Sequence, residues 1–378
     1  MSRLEDDRNT LDSVVAENSA HVDHRSQFVS HIKPFPDRLH VVAVVFNPIR
    51  WASRYKHWAA FERMVHDQGG VLYVVELALG DRPFEVVKST NPRHLGLRTL
   101  DELWHKERMI RMAIQHLLPA EARYIAWWDA DIAFSKPNIC QETLQALQHH
   151  YIVQCYSHAI DLGPNDEPLW TTPGFMFEWV NHGALQGIRG AGKNPWNPAS
   201  CYEHAPHPEL GWSPISAQFG KDWKICHPGL AWAADREALD RIDGGIFDES
   251  IYGSGDWIMA LSWVGLAKLA LMSQDWKTNE FSRRVMAYQD LCENEIHRDV
   301  GYVPGTVYHY FHGRKSDRRY SIRPNSFLVE LGFDPRTDIK RDTQGLYKLA
   351  TSRNPRSQRL RDALRYFARI RNEDGNEV

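Results

Sequence analysis

The sequence predicts an α/β fold built on a Rossmann-type, mostly parallel sheet with helices on both faces. Two apolar runs rich in β-branched residues, LHVVAVVF at 39–46 and VLYVVELAL at 71–79, are typical of strands that are covered on both faces. A helical pattern lies between them near 55–67, and another follows at 101–118. Such alternation of strand and helix is the order that a doubly wound parallel sheet requires.

The alternation continues through the middle of the chain. The segment YIAWWDADIAF at 124–134 is predicted as a strand that runs into two aspartates, and a helix near 140–149 and a strand at 151–157 follow. Residues 158–222 are rich in Pro, Gly, Asn, Trp and His and have no sustained periodicity. We interpret them as a loop-rich insertion that acts as a lid. Strand and helix signals return at 227–270.

The two ends of the chain differ from this central part. Residues 1–36 are polar and acidic and end in a proline-rich hinge, which predicts a disordered tail ahead of a main domain at 37–340. Residues 341–378 are predicted to form a basic, helical C-terminal extension.

Composition narrows the class of protein. Hydrophobic residues make up 43% of the 378 residues, enough for a buried core, and the formal net charge of −3 neither favours nor excludes an anionic partner. No run approaches the roughly 18 apolar residues of a membrane span, and the acidic N-terminal sequence lacks the apolar stretch of a signal peptide. The five scattered cysteines contain no C-x-x-C pair, which argues against a zinc ribbon or a disulfide framework. We therefore expect a cytoplasmic protein.

The clearest chemical signal is the pair Asp129 and Asp131, which follows a predicted buried strand directly. Ligands of open α/β sheets bind beyond the carboxyl ends of the strands. Carboxylates there can hold a hard divalent ion, Mn²⁺ or Mg²⁺, against the phosphates of a substrate. The alternative is a solvated turn, because D-x-D is common by chance.

A second signal lies in GTVYHYFHGRKSDRRY at 305–320. Either His309 or His312 can complete the metal shell, and we favour His312; the alternative is that both are structural. Gly313 would allow a phosphate to approach the backbone closely. The basic residues that follow and can stabilise a diphosphate leaving group are Arg314 and Lys315.

A third signal lies in the glycine-rich region 227–260. Asp256 stands at a predicted helix start, where it can act as the general base that deprotonates an acceptor hydroxyl. It can equally serve as a helix N-cap, and the two roles are compatible. The other residues predicted to form the pocket for acceptor and sugar are Gly229, Trp232, Gly253, Ser254, Gly255 and Trp257.

As a set, these motifs resemble the GT-A glycosyltransferases, and they are most similar to the galactosyltransferase and N-acetylgalactosaminyltransferase-like branch. Only Asp256 stands where that branch often has adjacent acids. Other stretches resemble uncharacterised phage and bacterial glycosyltransferases. These are NPIRWASRYKHW (47–58), VELALGDRPFEV (76–86), LRTLDELWHKERMI (97–110) and AIDLGP (159–164).

The resemblance implies a GT-A fold, a metal ion (Mn²⁺ or Mg²⁺) and a nucleotide-sugar donor. The donor it leads us to expect is a UDP-sugar. It places donor contacts at the ends of the first strands, at the start of the helix at 101–118 and near the late histidines. The candidate donor-binding residues are Phe46, Asn47, Pro48, Arg50, Arg54, Glu76, Trp104, His105, Lys106, Trp128, Gly313 and Lys315. For the arginines the alternative is a surface role, and for Trp104 a place in the core.

The predicted function is transfer of a sugar from a nucleotide-sugar to an acceptor hydroxyl. Arginines are concentrated at 353–371 and basic residues at 314–323, which could track a phosphate backbone. With the phage-like resemblance, this suggests hydroxymethyl-pyrimidine DNA as one acceptor; a solvated helix face is the alternative. A saccharide or glycolipid is the other main acceptor class, with protein or a small molecule as the remainder. A metal-dependent phosphoester hydrolase and a non-catalytic carbohydrate- or nucleic-acid-binding protein stay open as other functions.

Overall fold

A computed structural model gives the fold of the chain. It describes residues 38–182, 226–271, 277–314, 317, 325–350 and 355–376. The chain divides into two units, Met1–Asp37 and Arg38–Val378. The predicted tail and residues 183–222 of the predicted lid lie outside the described residues.

The strands form one large and two small sheets. They are β1 (Leu39–Phe46), β2 (Val71–Leu79), β3 (His94–Thr99), β4 (Tyr124–Trp128), β5 (Ile132–Phe134), β6 (Ile152–Gln154), β7 (His158–Leu162), β8 (Pro168–Pro173), β9 (Ala231–Asp235), β10 (Val300–Tyr302), β11 (Thr306–His309), β12 (Ile339–Arg341) and β13 (Tyr347–Leu349). The seven-stranded sheet has the order β10-β6-β9-β4-β1-β2-β3, the four-stranded sheet the order β5-β11-β7-β8, and β12 pairs with β13. In the large sheet only β9 runs antiparallel to its neighbours. The predicted mostly parallel α/β sheet is confirmed.

Helices cover both faces of the large sheet. They are α1 (Ser53–Lys56), α2 (Trp58–Asp67), α3 (Lys106–His116), α4 (Ile139–Ala146), α5 (Phe175–His182), α6 (Arg236–Arg241), α7 (Gly255–Trp263), α8 (Lys268–Leu271), α9 (Glu280–Ile296), α10 (Asn325–Glu330), α11 (Pro335–Asp338) and α12 (Pro355–Ile370). Successive side chains of a strand point to opposite faces. In β1, Val42 therefore packs into the core under α3, α7 and α9, whereas Val41 and Ala43 pack into the core under α2 and α4.

Several predicted elements differ from those observed. The strand predicted at 124–134 is divided at the two aspartates, because β4 joins the large sheet and β5 the small one. The helix predicted at 101–118 begins only at Lys106, after the backbone N–H of Trp104 has bonded to the carbonyl of Ile251. Both departures have the same cause: the backbone hydrogen bonds at these positions are made with segments that are distant in sequence.

The prediction of a loop over 158–222 is wrong for its described part, which forms β7, β8 and α5. β7 and β8 are short and take their hydrogen bonds from each other and from β11, so the local sequence carries little of the signal that specifies them.

The C-terminal part is also not helical throughout, because the β12–β13 hairpin precedes α12. Leu360 and Leu364 of α12 belong to the same core as Val42. No helix in the described ranges is long and apolar enough to cross a bilayer.

A buried ion pair joins α3 to the rest of the domain. Nη1 of Arg108 lies 2.9 Å from Oδ2 of Asp248, and both side chains are only 5% exposed. Nε of Arg108 donates to the carbonyl of Gly345 at 2.8 Å, and the hydroxyl of Tyr347 donates to Oδ1 of Asp248 at 3.1 Å. The network therefore links α3 to the β12–β13 hairpin.

We predict that Asp248→Asn lowers the free energy of unfolding by about 3 kcal/mol, because it leaves the guanidinium of Arg108 buried without a counter-charge. The measurement is urea denaturation followed by circular dichroism. The control is Asp243→Asn: Asp243 also pairs with an arginine of α3, Arg111, but its side chain is 81% exposed. That variant should lose less than about 1 kcal/mol. Equal losses in the two variants would contradict the prediction.

Candidate functional site

Strand β11 brings the late histidines to Asp131. It pairs antiparallel with β5 and parallel with β7, so that His309 lies opposite Ile132 on one side and Asp161 on the other. Asp131 immediately precedes β5, and its carbonyl accepts a hydrogen bond from the N–H of Tyr310 at 2.9 Å. The carboxylate and the two rings thus meet at one corner of the four-stranded sheet.

Asp131, His309 and His312 form a group whose ligand atoms all lie within 4.8 Å of one another. Oδ2 of Asp131 lies 3.2 Å from Nε2 of His312 and 3.9 Å from Nε2 of His309, and the two nitrogens are 3.0 Å apart. Two ligand atoms at a right angle around an ion, with bonds of about 2.1 Å, are about 3.0 Å apart. Oδ1 of Asp131 is buried and has no hydrogen-bond partner among the described residues. The three residues therefore fit a divalent metal ion.

A buried carboxylate orients the ring of His309. Nδ1 of His309 lies 2.7 Å from Oδ1 of Asp161, which is almost fully buried, and Nε1 of Trp170 donates to the other carboxylate oxygen. A carboxylate accepts hydrogen bonds, so Nδ1 carries the proton and Nε2 presents its lone pair towards Asp131. The sequence indicated Asp161 only as part of the AIDLGP stretch and assigned it no role.

The structure does not bring Asp129 into the metal group. Nζ of Lys106 lies 2.5 Å from Oδ1 of Asp129, and the N–H of Asp129 donates to the carbonyl of Leu230 at 2.8 Å. The chain passes from the large sheet to the small one between Asp129 and Asp131. Of the two predicted aspartate ligands, only Asp131 is placed with the histidines, and both histidines join it.

Asp256 lies close to the end of β4, where a glycine makes room for it. Its Oδ2 is 2.5 Å from the position that a Cβ on Gly229 would occupy, and its Oδ1 accepts the N–H of Trp257 at 2.8 Å. Ser254, not Asp256, stands at the N-cap of α7, and its side chain makes no capping hydrogen bond. Oδ1 of Asp256 therefore contacts the first turn of α7, while Oδ2 lies next to the backbone of Gly229.

One cation lies among three acids at the start of α3. Burial acts to lower the pKa of Lys106, but the charges of Asp129 and Asp256 raise it above its usual range, so that the ammonium stays protonated. Burial raises the pKa of Asp129, although Lys106 opposes the rise. Burial also raises the pKa of Glu107 to about 8, with a further contribution from Asp256. A neutral Glu107 beside Lys106 can donate a hydrogen bond as well as accept one.

The start of α7, which contains several residues of the predicted acceptor pocket, faces the start of α3. A Cβ on Gly255 would lie 2.5 Å from Cγ of Glu107, and one on Gly253, where φ is +102°, would lie 3.8 Å from the ring of Trp104. The ring of Trp257 packs edge-on against Phe175 at 6.1 Å between centroids. These glycines allow the two helix starts to approach closely.

Several predicted donor and pocket residues are used by the fold instead. Glu76 accepts backbone N–H groups from Glu85, Val86 and Val87, each at 2.8 Å, so its carboxylate holds that loop. His105 is 0% exposed, and burial lowers its pKa to about 3. The core also contains the predicted site residues Trp128 and Trp232, each 2% exposed. Residues of these types resemble ligand contacts in sequence, but here they lie inside the protein.

The residues after β1 make a turn that is held by its own side chains. The side-chain amide of Asn47 exchanges hydrogen bonds with the backbone of Trp51, at 2.7 and 2.9 Å. The carbonyl of Pro48 accepts Nη1 of Arg82, and Arg50 forms an exposed ion pair with Glu85 at 3.0 Å. Phe46 is half-buried at the end of β1, and its ring packs edge-on against His105. Phe46, Asn47 and Pro48 therefore shape the rim of the sheet at this end.

The C-terminal segment occupies two positions that were predicted for phosphate. Nε and Nη2 of Arg54 lie 2.5 and 2.7 Å from the carboxylate of Glu373. A Cβ on Gly313 would lie 2.6 Å from the carbonyl oxygen of Asn372. The close backbone approach predicted at Gly313 is thus real, but its partner is this chain itself. Lys315 lies outside the described residues.

Three of the seven arginines at 353–371 pair with acids of the same domain. Arg356 pairs with Asp338 at 2.8 Å and Arg369 with Glu102 at 2.9 Å, while the buried Arg371 pairs with Glu373. These arginines stabilise the fold of the domain.

No protein-family model matches the chain, and no curated protein matches it in sequence. Among solved structures, a Drosophila β1,4-galactosyltransferase 7 variant with manganese, UDP-Gal and xylobiose is 10% identical; the match covers 83% of this chain and 95% of that one, with a TM-score of 0.35. The mannosyltransferase PcManGT from Pyrobaculum calidifontis, with GDP-Man and Mn²⁺, is 12% identical over 93% of this chain and 76% of that one, with a TM-score of 0.34. Likeness at this level does not identify the activity of this chain.

We predict that Glu107→Gln raises the melting temperature at alkaline pH but not at pH 5. The pKa of Glu107 rises on folding from its ordinary 4.5 to about 8, so the wild type loses stability as the pH climbs through that interval. Glutamine cannot ionise, and the variant should melt at least about 4 °C above the wild type at pH 8.5. Thermal melts without metal from pH 5 to 9 measure the difference. The exposed Glu121→Gln is the control, and a Glu107→Gln curve parallel to the wild type would contradict the prediction.

Proposed function

We propose that this chain is a metal-dependent glycosyltransferase of the GT-A type that moves a sugar from a nucleotide-sugar, most simply a UDP-sugar, to an acceptor hydroxyl. The observation that carries the proposal is the group of Asp131, His309 and His312 at a strand end, beside a second cluster of charged groups at the start of α3. A carboxylate with two histidines suits a divalent transition-metal ion such as Mn²⁺ better than Mg²⁺, which prefers oxygen ligands. Such an ion neutralises the charge that develops on a diphosphate leaving group.

The residues at the start of α3 complete the donor side. Lys106 is a protonated cation that pairs with Asp129, two residues before the metal ligand Asp131, and its ammonium can pair with a phosphate oxygen when the donor displaces that contact. Trp104 lies on the same turn, with its ring against Gly253. The diphosphate would then lie between the metal ligands and the start of α3.

The acceptor side lies at the start of α7. Asp256 directs a carboxylate oxygen over Gly229, a position in which it can take the proton of an acceptor hydroxyl as the oxygen attacks the anomeric carbon. In that step the new glycosidic bond forms, the sugar–phosphate bond breaks, and the nucleotide diphosphate leaves. This assignment describes an inverting enzyme.

We further propose a saccharide acceptor in preference to hydroxymethyl-pyrimidine DNA. Binding of a nucleic-acid backbone needs several free cations on one surface. Arg356, Arg369 and Arg371 instead neutralise acids of their own domain. The phosphoester hydrolase remains the second candidate because it would use the same three metal ligands.

We predict that Mn²⁺ together with one nucleotide-sugar raises the melting temperature of the wild type and that Asp131→Asn abolishes the rise. A ligand at 100 times its dissociation constant stabilises the folded state by about 2.7 kcal/mol. Thermal melts with a panel of nucleotide-sugars, with and without Mn²⁺, make the measurement. Asp290→Asn, at an exposed position on α9, is the matched control and should respond as the wild type does. Absence of a metal-dependent shift with every donor, or phosphoester hydrolysis without sugar transfer, would reject the transferase.

We predict that Asp256→Asn lowers kcat for sugar transfer by about 10²- to 10⁴-fold, the usual contribution of a general base. The dissociation constant of the donor should stay within about twofold, because the carboxylate acts on the acceptor. Both are measured with the donor that the thermal panel selects, again against Asp290→Asn. Near-normal transfer by Asp256→Asn would exclude it as the base.

A further inference from the structure

Each histidine of the metal group has a buried carboxylate on its far side. Asp161 lies 2.7 Å from Nδ1 of His309, and Oε2 of Glu373 lies 3.9 Å from Nδ1 of His312. The side chain of Glu373 is 0% exposed. Both rings therefore turn Nδ1 towards an acid and Nε2 towards Asp131.

Two arginines hold the carboxylate of Glu373 in place. Arg54 contacts both oxygens through Nε and Nη2, at 2.5 and 2.7 Å, and Nε of Arg371 donates to Oε1. Such a fork of parallel hydrogen bonds fixes the plane of a carboxylate. Burial acts to lower the pKa of Arg54, but Glu373 raises it far above its usual range, so this cation is permanent. Cationic partners at this distance favour the charged form of a carboxylate.

The backbone around Glu373 is attached to the site on two sides. Gly313, with φ of +85°, leaves room for the carbonyl of Asn372, which lies 2.6 Å from the position of a Cβ. The carboxylate of Asp374 accepts the N–H groups of Ala52 and Ser53 at 2.9 and 2.8 Å. The segment 371–374 thus joins the loop that carries His312 to the turn that carries Arg54.

We propose that the C-terminal segment 371–374 is a built-in part of the metal site and that Glu373 is a positioning residue for His312 and Arg54. This inference rests on the proposed metal site. A histidine that binds a metal through Nε2 must carry its proton on Nδ1, and a carboxylate on that side favours this tautomer and orientation. Glu373 acts through His312 and does not itself touch the metal or the substrate.

The test is the affinity of the full chain for Mn²⁺, without donor, from the electron paramagnetic resonance signal of the free ion. Glu373→Gln keeps the shape of the side chain and removes its charge, and it should weaken Mn²⁺ binding by about 10- to 100-fold, as the loss of such an outer partner does. Glu330→Gln, which changes an exposed glutamate, should bind as the wild type does.

A second variant covers the case in which Glu373→Gln does not fold. Gly313→Ala keeps the carboxylate but forces the segment away from the loop of His312, and it should also weaken Mn²⁺ binding. Melting temperatures in the presence of a chelator are recorded for every variant. If a folded variant is less stable but binds Mn²⁺ with wild-type affinity, the role of the segment is structural and the inference is overturned. If the wild type binds no Mn²⁺, the metal site of the proposed function is rejected together with the inference.

Discussion

The pairing of β11 between β5 and β7 is the constraint on which the candidate metal site depends. In this register His309 lies opposite Asp161 and next to the strand that follows Asp131. Side chains alternate between the faces of a strand, so a slip by one residue would move His309 to the other face and part it from both carboxylates. The backbone hydrogen bonds of a small sheet thus set distances on which the binding of an ion depends.

Around that corner, opposite charges pair at partly or fully buried positions. Lys106 offsets Asp129, and Arg54 and Arg371 offset Glu373. A buried charge without a partner is costly, so each of these groups fixes the position of its partner as well as its charge. The partners come from distant parts of the chain, and a folded domain is needed before any of them is in place. Oδ1 of Asp131 is a buried acceptor that receives no hydrogen bond from the described residues.

The sequence allowed prediction where a local pattern was sufficient. β1 and β2 have the predicted bounds, because a parallel strand covered on both faces is a continuous apolar run. The sequence also predicted that Asp129 and Asp131 follow a buried strand, which is β4. In the four-stranded sheet, β5 lay within the strand predicted at 124–134, but β7 and β8 fell in the predicted loop, since each is short and depends on non-local partners. Glu76 and Trp232 show the limit of residue type as a signal: both were candidate ligand contacts in sequence, whereas in the structure Glu76 holds a loop and Trp232 lies in the core.

At Gly313 the sequence predicted a close approach to the backbone, with a phosphate as the expected partner. In the structure, Gly313 has φ of +85°, and the backbone of the segment 371–374 lies next to it. The two carboxylates behind the histidines then differ in kind. Asp161 holds His309 by a hydrogen bond of 2.7 Å, whereas Glu373 lies 3.9 Å from Nδ1 of His312, beyond hydrogen-bond length. The orientation of His312 therefore depends on how the segment packs at Gly313 as well as on charge, which makes the attachment of the C-terminal segment part of the geometry of the site.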